Sequence, residues 1–274
     1  MGFRRSWLGL LVTLAVLPAF GQVSAPAENA VEKIARHQHG PIRDKTEHRD
    51  ASKSFGSSTS SNWSGYAVLG SSFTSVKGSW VVPTAICPSA QGQYAAFWVG
   101  LDGYSSDSVE QTGTDSDCDG DNNPSYYAWY EFYPKPSYTV MRVNPGDRIS
   151  ASVVYRGSEF TITITDENTG QFYTKSSSVR GAQRSSAEWI TEAPCCARGN
   201  GILPLSDFVT VGFGSDYTAL AGTNDATDST TSGPIASFPT IWEINKTGSS
   251  TSPQLSTCSA LSADGTSFSC SWAP

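Results

Sequence analysis

Apolar and polar residues alternate with a period of two along much of the chain after Phe55. Such alternation predicts β-strands with one buried and one polar face, and the Gly-, Asn- and Asp-rich stretches between them predict turns. No stretch of this region shows a convincing helical period. The pattern therefore predicts an all-β, antiparallel domain, either a sandwich or a barrel. The clearest alternating stretches are residues 79–82, 94–99, 126–133, 149–155, 160–165, 208–213 and 240–244.

The N-terminus has a different pattern. Arg4 and Arg5 precede an apolar run over residues 7–20, and small residues follow it. This order is typical of a secretory signal, with cleavage after Gly21 or Ala25, and the run is short for a membrane span. We therefore expect residues 1–25 to be a signal peptide and the protein to be secreted and extracellular, with no membrane attachment once the signal is removed.

Charge divides the remaining chain into a basic and an acidic part. Residues 1–54 hold eight Lys and Arg against five Asp and Glu, whereas the rest holds ten against twenty. We expect residues 26–54 to be a removable pro-segment that docks on the acidic domain by charge and inhibits it, with acid weakening the docking. A disordered linker is the alternative. The acidic domain offers no basic patch for nucleic acid.

Residues 55–274 are long enough for one large core, and they contain no histidine, since His37, His39 and His48 all precede Phe55. Such a domain lacks the residue needed for Ser-His-Asp or Cys-His catalysis and for a His-ligated metal site. Its chemistry must come from carboxylates, amides, hydroxyls or thiols. Carboxylate enzymes often work at low pH, so we expect an acidic medium.

Three polar side chains stand out on predicted strands. Glu131 shares a strand face with aromatic residues, where desolvation raises a carboxyl pKa unless hydrogen bonds hold the charge. Glu188 and Glu192 share one face of another alternating stretch, residues 187–192. Gln111 supplies a neutral amide that can donate to a developing oxyanion.

Four motifs occur in order along the domain, namely W-V-G-L-D-G at 98–103, Q-T-G-T-D at 111–115, A-W-Y-E-F-Y-P at 128–134 and A-E-W-I-T-E at 187–192. In these motifs the chain resembles the glutamic peptidases, the eqolisins of peptidase family G1, which are pepstatin-insensitive acid endopeptidases. The resemblance extends from residues 61–65 to the segment between Cys258 and Cys270, which is essentially the whole domain 55–274. It implies a sandwich of two bent antiparallel sheets with a concave active-site cleft.

The same resemblance implies the catalytic roles. Glu192, the second Glu of its motif, takes a proton from the water that attacks the peptide carbonyl and returns it to the leaving nitrogen. Gln111 stabilises the oxyanion. The expected enzyme is a secreted, monomeric acid endopeptidase that acts on proteins or peptides and uses no cofactor and no metal.

Other positions match the family's site with supporting roles. Asp102 and Asp115 correspond to acidic residues near the dyad. For each tryptophan a place in the core is an equally reasonable interpretation, and Glu188 is best interpreted as a satisfied sheet carboxylate. Glu110 departs from the apolar residue of fungal members, although alternation puts it on the face opposite Gln111. The matches to the cleft lining are Trp63, Trp98, Trp129, Glu131 and Tyr133.

Six cysteines in an exported chain predict disulfides. Cys258 and Cys270 flank a likely hairpin turn and are expected to pair. We expect the vicinal Cys195 and Cys196 to bond to different partners, namely Cys87 and Cys118.

Two further motifs suggest modification or ion binding. Asp115, Asp117 and Asp119 imitate the start of a calcium loop, but Tyr126 stands where the EF-hand Glu belongs, so a solvated acidic loop is the better interpretation. Asn62 and Asn245 begin glycosylation sequons, and modification of Asn62 beside the predicted cleft would be awkward.

Two other functions compete with the peptidase hypothesis. A carbohydrate-binding sandwich would show the same aromatic face but would not need Gln111 or Glu192. A glycosidase would use a carboxylate pair such as Glu131 and Glu192, and Gln111 would matter little. An aspartic protease is disfavoured because the chain has neither a D-T-G nor a D-S-G triplet.

Overall fold

The computed structural model describes residues 1–2, 33–34, 37–49, 52–88, 91–196 and 201–274. The predicted signal peptide lies almost entirely outside these residues. Strands β1 to β11 are Lys33–Ile34, His37–Gln38, Thr46–His48, Phe55–Ser60, Trp63–Leu69, Ser75–Val81, Gly92–Gln93, Ala96–Leu101, Val109–Asp119, Pro124–Tyr133 and Tyr138–Arg142. Strands β12 to β22 are Arg148–Arg156, Glu159–Asp166, Phe172–Ser177, Ser186–Glu192, Cys195–Cys196, Thr210–Phe213, Asp225–Thr227, Ser232–Pro234, Ile241–Lys246, Leu255–Cys258 and Phe268–Ala273. One helical turn, α1, covers Ser215–Thr218, and a 3-10 turn covers Ile235–Ser237.

One ladder of strands carries all the motifs singled out above. Its order is β11, β10, β9, β8, β15, β5, β20, β4 and β3. Neighbours are antiparallel except β20 and β4, which run parallel. The consecutive strands β8, β9 and β10 therefore lie side by side at the centre, and β15, which is distant in sequence, pairs with β8.

A second ladder packs against the first. It contains β14, β13, β12 and β6, and β6 continues to β17 and β18. Strand β17 pairs with β22 and β22 with β21, which joins the first ladder at β20. Strands β6 and β12 cross β8, and β12 and β13 cross β9, without pairing to them. The all-β, antiparallel class is thus confirmed, while the hydrogen bonding is continuous between the two ladders instead of forming two separate sheets.

The core divides into two clusters because side chains of a strand alternate between its faces. The larger cluster lies between the ladders and includes Trp80, Phe97, Trp189 and Phe213, all fully buried. The smaller one lies on the other face of the first ladder and contains Trp63, Trp98, Trp129, Ala96 and Ile190 among others. The three tryptophans matched to the cleft lining, Trp63, Trp98 and Trp129, therefore belong to this smaller cluster.

Most of the alternating stretches form strands. Residues 126–133, 149–155 and 160–165 lie within β10, β12 and β13. The basic N-terminal region, where no strand was predicted, contributes the short β1, β2 and β3, which pair with β11, β16 and β4. Such strands form by adding backbone hydrogen bonds to existing strands, which needs no alternation of side chains.

Two disulfides form among the described residues, and the expected bonding of the vicinal cysteines is wrong. Cys258 bonds to Cys270 as expected, across the hairpin of β21 and β22. Cys87 bonds to Cys118, so neither is a partner of the vicinal pair. In the part of the chain that the structure describes, no helix is long and apolar enough to cross a membrane.

Candidate active site

The register of the central strands brings the two predicted catalytic residues onto one face. Gln111 on β9 is paired with Glu131 on β10 and with Gly100 on β8. Glu192 ends β15 and is paired with Ala96 on β8 and Trp63 on β5. The side chains of Gln111, Glu131 and Glu192 therefore approach one another from three strands.

Gly113 allows the aromatic wall of this face to form. It is paired with Trp98 on one side and Trp129 on the other. A Cβ atom at Gly113 would lie 2.3 Å from the carbonyl oxygen of Phe97 and 2.5 Å from the Cβ of Trp98. Only a residue without a side chain lets both indoles pack over β9.

Glu192 is buried and accepts N–H groups on both of its oxygens. The indole Nε1 of Trp98 donates to Oε2 over 2.9 Å, and the amide Nδ2 of Asn62 donates to Oε1 over 3.4 Å. The orientation of the Asn62 amide is fixed because its Oδ1 accepts hydrogen bonds from Ser60 and from the backbone of Arg43. The carboxyl group is thus held in one position.

Gln111 and Glu131 form the other half of the site. The amide Nε2 of Gln111 lies 3.4 Å from Oε2 of Glu131, and both side chains are fully buried. Beside them, Asp115 accepts the indole N–H of Trp129 over 2.7 Å and the hydroxyl of Tyr127 over 2.9 Å.

Residues 37–43 of the N-terminal region lie across this face. The backbone N–H of His39 donates to Glu131 over 2.8 Å, and its ring stacks on Trp129 with centroids 3.6 Å apart and planes 2° apart. The carbonyl oxygen of His39 accepts the amide of Gln111. The backbone N–H of Gly40 donates to Oε1 of Glu192 over 3.2 Å. The peptide bond between His39 and Gly40 therefore lies between the two predicted catalytic residues.

Further contacts fix the segment on both sides of that bond. His37 Nε2 lies 2.5 Å from Oδ2 of Asp115. The carbonyl oxygen of Gly40 accepts the indole N–H of Trp63 over 3.1 Å, and that of Pro41 accepts the amide of Asn62 over 3.2 Å. Tyr133 contributes packing, since a Cβ on Gly40 would lie 3.6 Å from its ring.

Burial and neighbouring charges shift the pKa values of the carboxyl groups of the site in opposite directions. Burial raises the pKa of Glu192 to about 8, although the positive charge of His39 and the Trp98 hydrogen bond act against this. Burial likewise raises the pKa of Glu131, again opposed by His39. Glu192 therefore favours the protonated form while the segment covers it, and Glu131 binds a proton more readily than an exposed carboxyl group does.

The pair of His39 and Asp115 behaves as an ion pair. Burial alone would lower the pKa of His39, but the charge and hydrogen bonds of Asp115 and Glu131 raise it to about 10. Burial alone would raise the pKa of Asp115, but the imidazoles of His39 and His37 lower it below its usual range. Burial and the charge of Asp115 raise the pKa of Asp117 to about 7.

Of the predicted site residues, eight meet in this cluster and one does not. Asp102 follows β8 and accepts the backbone N–H groups of Gln183, Arg184 and Ser185. It ties the loop before β15 to β8 and makes no hydrogen bond to the other predicted residues. The eight that meet are Gln111, Glu192, Trp63, Trp98, Asp115, Trp129, Glu131 and Tyr133.

The residues that sequence reasoning missed are polar partners of the segment. His37, His39 and Gly40 belong to the region predicted to dock by charge, but their positions in the cleft were not foreseen. Tyr127 shares its strand face with Trp129 and Glu131, and this alternation could have identified it from the sequence. Asn62 was noted only as a glycosylation sequon, and here it is buried.

Two buried carboxyl groups lie beside the site without hydrogen-bond partners among the described residues. They are Glu188 and Glu110, so the interpretation of Glu188 as a satisfied carboxylate is wrong. Burial raises the pKa of Glu110 to about 8 and that of Glu188 well above its usual range. Both are therefore protonated over a wide range of pH.

One group of side chains among the described residues has the composition of a metal site. His37, His39 and Asp115 place one ligand atom each within 4.8 Å of one another. Within this group, His39 and Asp115 already form an ion pair with each other. The predicted acidic loop is wrong: Asp115, Asp117 and Asp119 lie along β9, where Asp119 accepts N–H groups of the following turn and Asp115 binds the segment.

Known proteins are similar to this chain over most of its length. The model of the Peptidase A4 family matches residues 61–272. Aspergillopepsin-2 of Aspergillus niger is 31% identical over 215 residues, which are 69% of this chain and 72% of that protein. The crystal structure of scytalido-glutamic peptidase with a transition state analog inhibitor is 28% identical, with a TM-score of 0.62, and covers 78% of this chain and 98% of its own.

A further solved structure is SCP-B, a member of the eqolisin family, in a complex with the tripeptide Ala-Ile-His. It is 26% identical, with a TM-score of 0.56, over 78% of this chain and 98% of its own. The all-β fold and these similarities thus define a peptidase of the glutamic class. The chain belongs to the Peptidase A4 family, the eqolisins, and the resemblance found in the sequence is confirmed.

Proposed function

We propose that this protein is a secreted acid endopeptidase in which Glu192 and Gln111 form the catalytic dyad. The observation that carries the proposal is the peptide bond between His39 and Gly40, whose carbonyl oxygen accepts from Gln111 and whose N–H donates to Glu192. A substrate peptide bound along the same line meets a donor for its oxyanion and a carboxyl group beside its leaving nitrogen.

Each residue has one role in the proposed reaction. Ionised Glu192 removes a proton from water as the water oxygen attacks the carbonyl carbon. The buried amide of Gln111 donates to the oxyanion of the tetrahedral intermediate, where a fixed dipole is effective because little water competes. Protonated Glu192 then gives its proton to the leaving nitrogen. Trp98 and Asn62 hold the Glu192 carboxyl group in place.

The cleft face supports protein or peptide substrates. Its hydrogen-bond donors to the segment, Trp63, Asn62 and Gln111, all bind backbone carbonyl oxygens. These three contacts do not depend on the side chains of the bound peptide. Binding of a tripeptide by the related SCP-B is in line with this proposal.

We further propose that the N-terminal region acts as an intramolecular inhibitor. Residues 37–43 cover the dyad, and His39 and Gly40 use the groups that a substrate would use. An external peptide must displace them, and displacement requires separating the buried pair of His39 and Asp115. Breaking a buried ion pair is costly, so the covered chain is expected to be inactive.

The test is hydrolysis of an unfolded protein by the acid-treated full chain between about pH 2 and 8, since the profile reports the essential carboxyl group. Pepstatin and a chelator are present throughout. We expect acid-limited cleavage that survives both inhibitors and is lost in Glu192→Gln. Glu188→Gln is the matched control, because it removes the other carboxyl group of the same strand face, and it should stay active. Cleavage that persists in Glu192→Gln, or that pepstatin blocks, would contradict the dyad.

A further inference from the structure

The segment over the cleft has the arrangement of a substrate, and it belongs to the chain itself. The carbonyl oxygen and the N–H of one peptide bond point in opposite directions, and here each meets one member of the dyad. A segment that only filled the cleft would not need a peptide bond oriented toward both members of the dyad.

We propose that the bond between His39 and Gly40 is cut by the protein's own dyad, and that imidazole side chains at His37 and His39 direct the cut. The proposal rests on the peptidase function proposed above and names its first substrate.

The histidines occupy two defined positions on the N-terminal side of the bond. The ring of His39 lies flat on Trp129, with its nitrogens 3.3 Å from Oε2 of Glu131 and 3.3 Å from Oδ1 of Asp115. Both rings are almost inaccessible to solvent. His37, two residues earlier on the same side of an extended chain, reaches Asp115. The side chain of Gln38 between them makes only hydrogen bonds of 3.3 and 3.4 Å.

The residues on the other side of the bond suit a leaving group. Gly40 has no side chain to separate its nitrogen from Glu192, and its carbonyl oxygen is held by Trp63. Asn62 holds Pro41, and the backbone N–H of Ile42 donates to Gly103 over 3.2 Å. After cleavage this half would remain attached to the domain through β3.

The step is ordinary hydrolysis with water as the co-reactant. The water oxygen adds to the carbonyl carbon of His39 while Glu192 takes one water proton. The oxyanion accepts from Gln111, and the carbon–nitrogen bond breaks as Glu192 passes the proton to the nitrogen of Gly40. One product ends in the carboxylate of His39, the other begins with the amino group of Gly40, and Glu192 is regenerated.

The covered state also explains why the bond persists. Burial raises the pKa of Glu192 to about 8, so at neutral pH the carboxyl group holds a proton and does not accept one from water. Cleavage therefore waits until the segment loosens enough for water to reach and hydrate Glu192.

The test follows the purified full chain under the condition in which it hydrolyses an unfolded protein. Intact mass and N-terminal sequencing should show a new chain that begins at Gly40, at a rate independent of protein concentration. The full-length Glu192→Gln variant should keep the bond. A stable domain that begins at another residue, with residues 37–40 released uncut, would overturn the proposal.

A second measurement separates this proposal from the peptidase function. A synthetic peptide of residues 33–46 is offered to the activated enzyme and should be cut between His39 and Gly40. His39→Ala in the peptide should slow the cut by roughly tenfold to a hundredfold, because charge-assisted hydrogen bonds are lost. Gln38→Ala, the control, should change it about twofold at most.

Three results of the peptide measurement decide between the claims. Cleavage at the expected bond with the expected His39 dependence supports both. Hydrolysis of unfolded protein while the peptide stays intact overturns self-cleavage and leaves the peptidase function standing. Failure to hydrolyse either substrate, with a correctly folded chain, overturns both.

Discussion

At the scale of residues, the site is an arrangement of buried polar groups that compensate one another. Asp115 receives hydrogen bonds from Trp129 and Tyr127 and faces two imidazoles. Glu131 receives the backbone N–H of His39. Because burial is costly for each charge alone, the domain carboxylates and the segment histidines stabilise each other.

The first prediction concerns the titration of His39. In full-length Glu192→Gln, which should keep the segment intact, the ring should titrate near 10 because Asp115 and Glu131 hold its proton. NMR of isotope-labelled histidine measures this directly. Adding Asp115→Asn should move the value down by at least one unit. Titration of His39 near its ordinary value of about 6.5 in the intact chain would contradict the ion pair.

The sequence identified part of this site. Alternation placed Glu131 and Trp129 on one face, and motif resemblance selected Gln111 and Glu192. The histidines were recognised only as part of a basic segment, because His37 lies 78 residues from Asp115 and His39 lies 92 residues from Glu131. The charge composition predicts that the basic segment and the acidic domain attract each other. It does not predict which residues of the two will form contacts.

At the scale of elements, β9 supports the site through its central glycine. Gly113→Ala should destabilise the domain by roughly 1–3 kcal/mol, since the added methyl group meets the backbone of Phe97 and the side chain of Trp98. Urea unfolding monitored by tryptophan fluorescence gives the difference.

The control for Gly113 is Gly201→Ala, whose new methyl group would meet nothing closer than 3.8 Å. It should leave the unfolding midpoint nearly unchanged. Equal midpoints for Gly113→Ala and wild type would mean that the indoles do not need this close approach.

Glu110, on the face of β9 opposite Gln111, should make the stability of the domain depend on pH. Burial raises the pKa of Glu110 from 4.5 to about 8, so the folded state binds a proton that the unfolded state releases. Glu110 alone should therefore lower stability by roughly 1.4 kcal/mol per pH unit between about pH 4.5 and 8. Glu110→Gln should make the dependence of stability on pH shallower by about this amount.

Urea unfolding at a series of pH values measures the slope. The exposed Glu159→Gln on β13 removes a carboxyl group without this burial and should behave as wild type does. If Glu110→Gln and wild type lost stability in parallel as the pH rises, Glu110 would not be the source.

Elements were predicted well where buried and more exposed side chains alternate along a strand, as in β12 and β13. Prediction failed for β1, β2 and β3, whose pairing is through the backbone. It failed also for Cys87 and Cys118, because their approach depends on the path of β9 and leaves no local signal.

At the scale of the whole molecule, we expect the basic N-terminal region to cover the acidic domain most firmly over a limited range of pH. Asp115 has a lowered pKa in the covered state, so its contribution is present above its ordinary value of about 3.9 and is lost as the pH falls below it. Glu131, Asp117 and Glu192 have raised pKa values, so their contribution improves as the pH falls toward about 4.5. His39 contributes fully below about 6.5 and loses its contribution as the pH rises through about 10.

These opposing signs predict that coverage is strongest near pH 4 to 5. In full-length Glu192→Gln, the hydrogen-exchange protection of the segment amides, corrected for intrinsic exchange, should rise from pH 7 to about 4.5. It should fall again below about pH 4. With Asp115→Asn added, protection should be lower and the fall below pH 4 should disappear. A steady loss of protection from pH 7 downward would contradict this balance and favour simple charge attraction.

The central claim is that Gln111 and Glu192 act together on one peptide bond. The most direct measurement is kcat on one peptide substrate for Gln111→Ala, Glu192→Gln and the double variant, with Glu188→Gln as control. We expect a loss of about 10²–10³ for Gln111→Ala and a larger loss for Glu192→Gln. Because residues that act as a unit are not additive, the double variant should be no worse than Glu192→Gln. A Gln111→Ala variant with unchanged kcat, or losses that multiply in the double variant, would contradict the dyad.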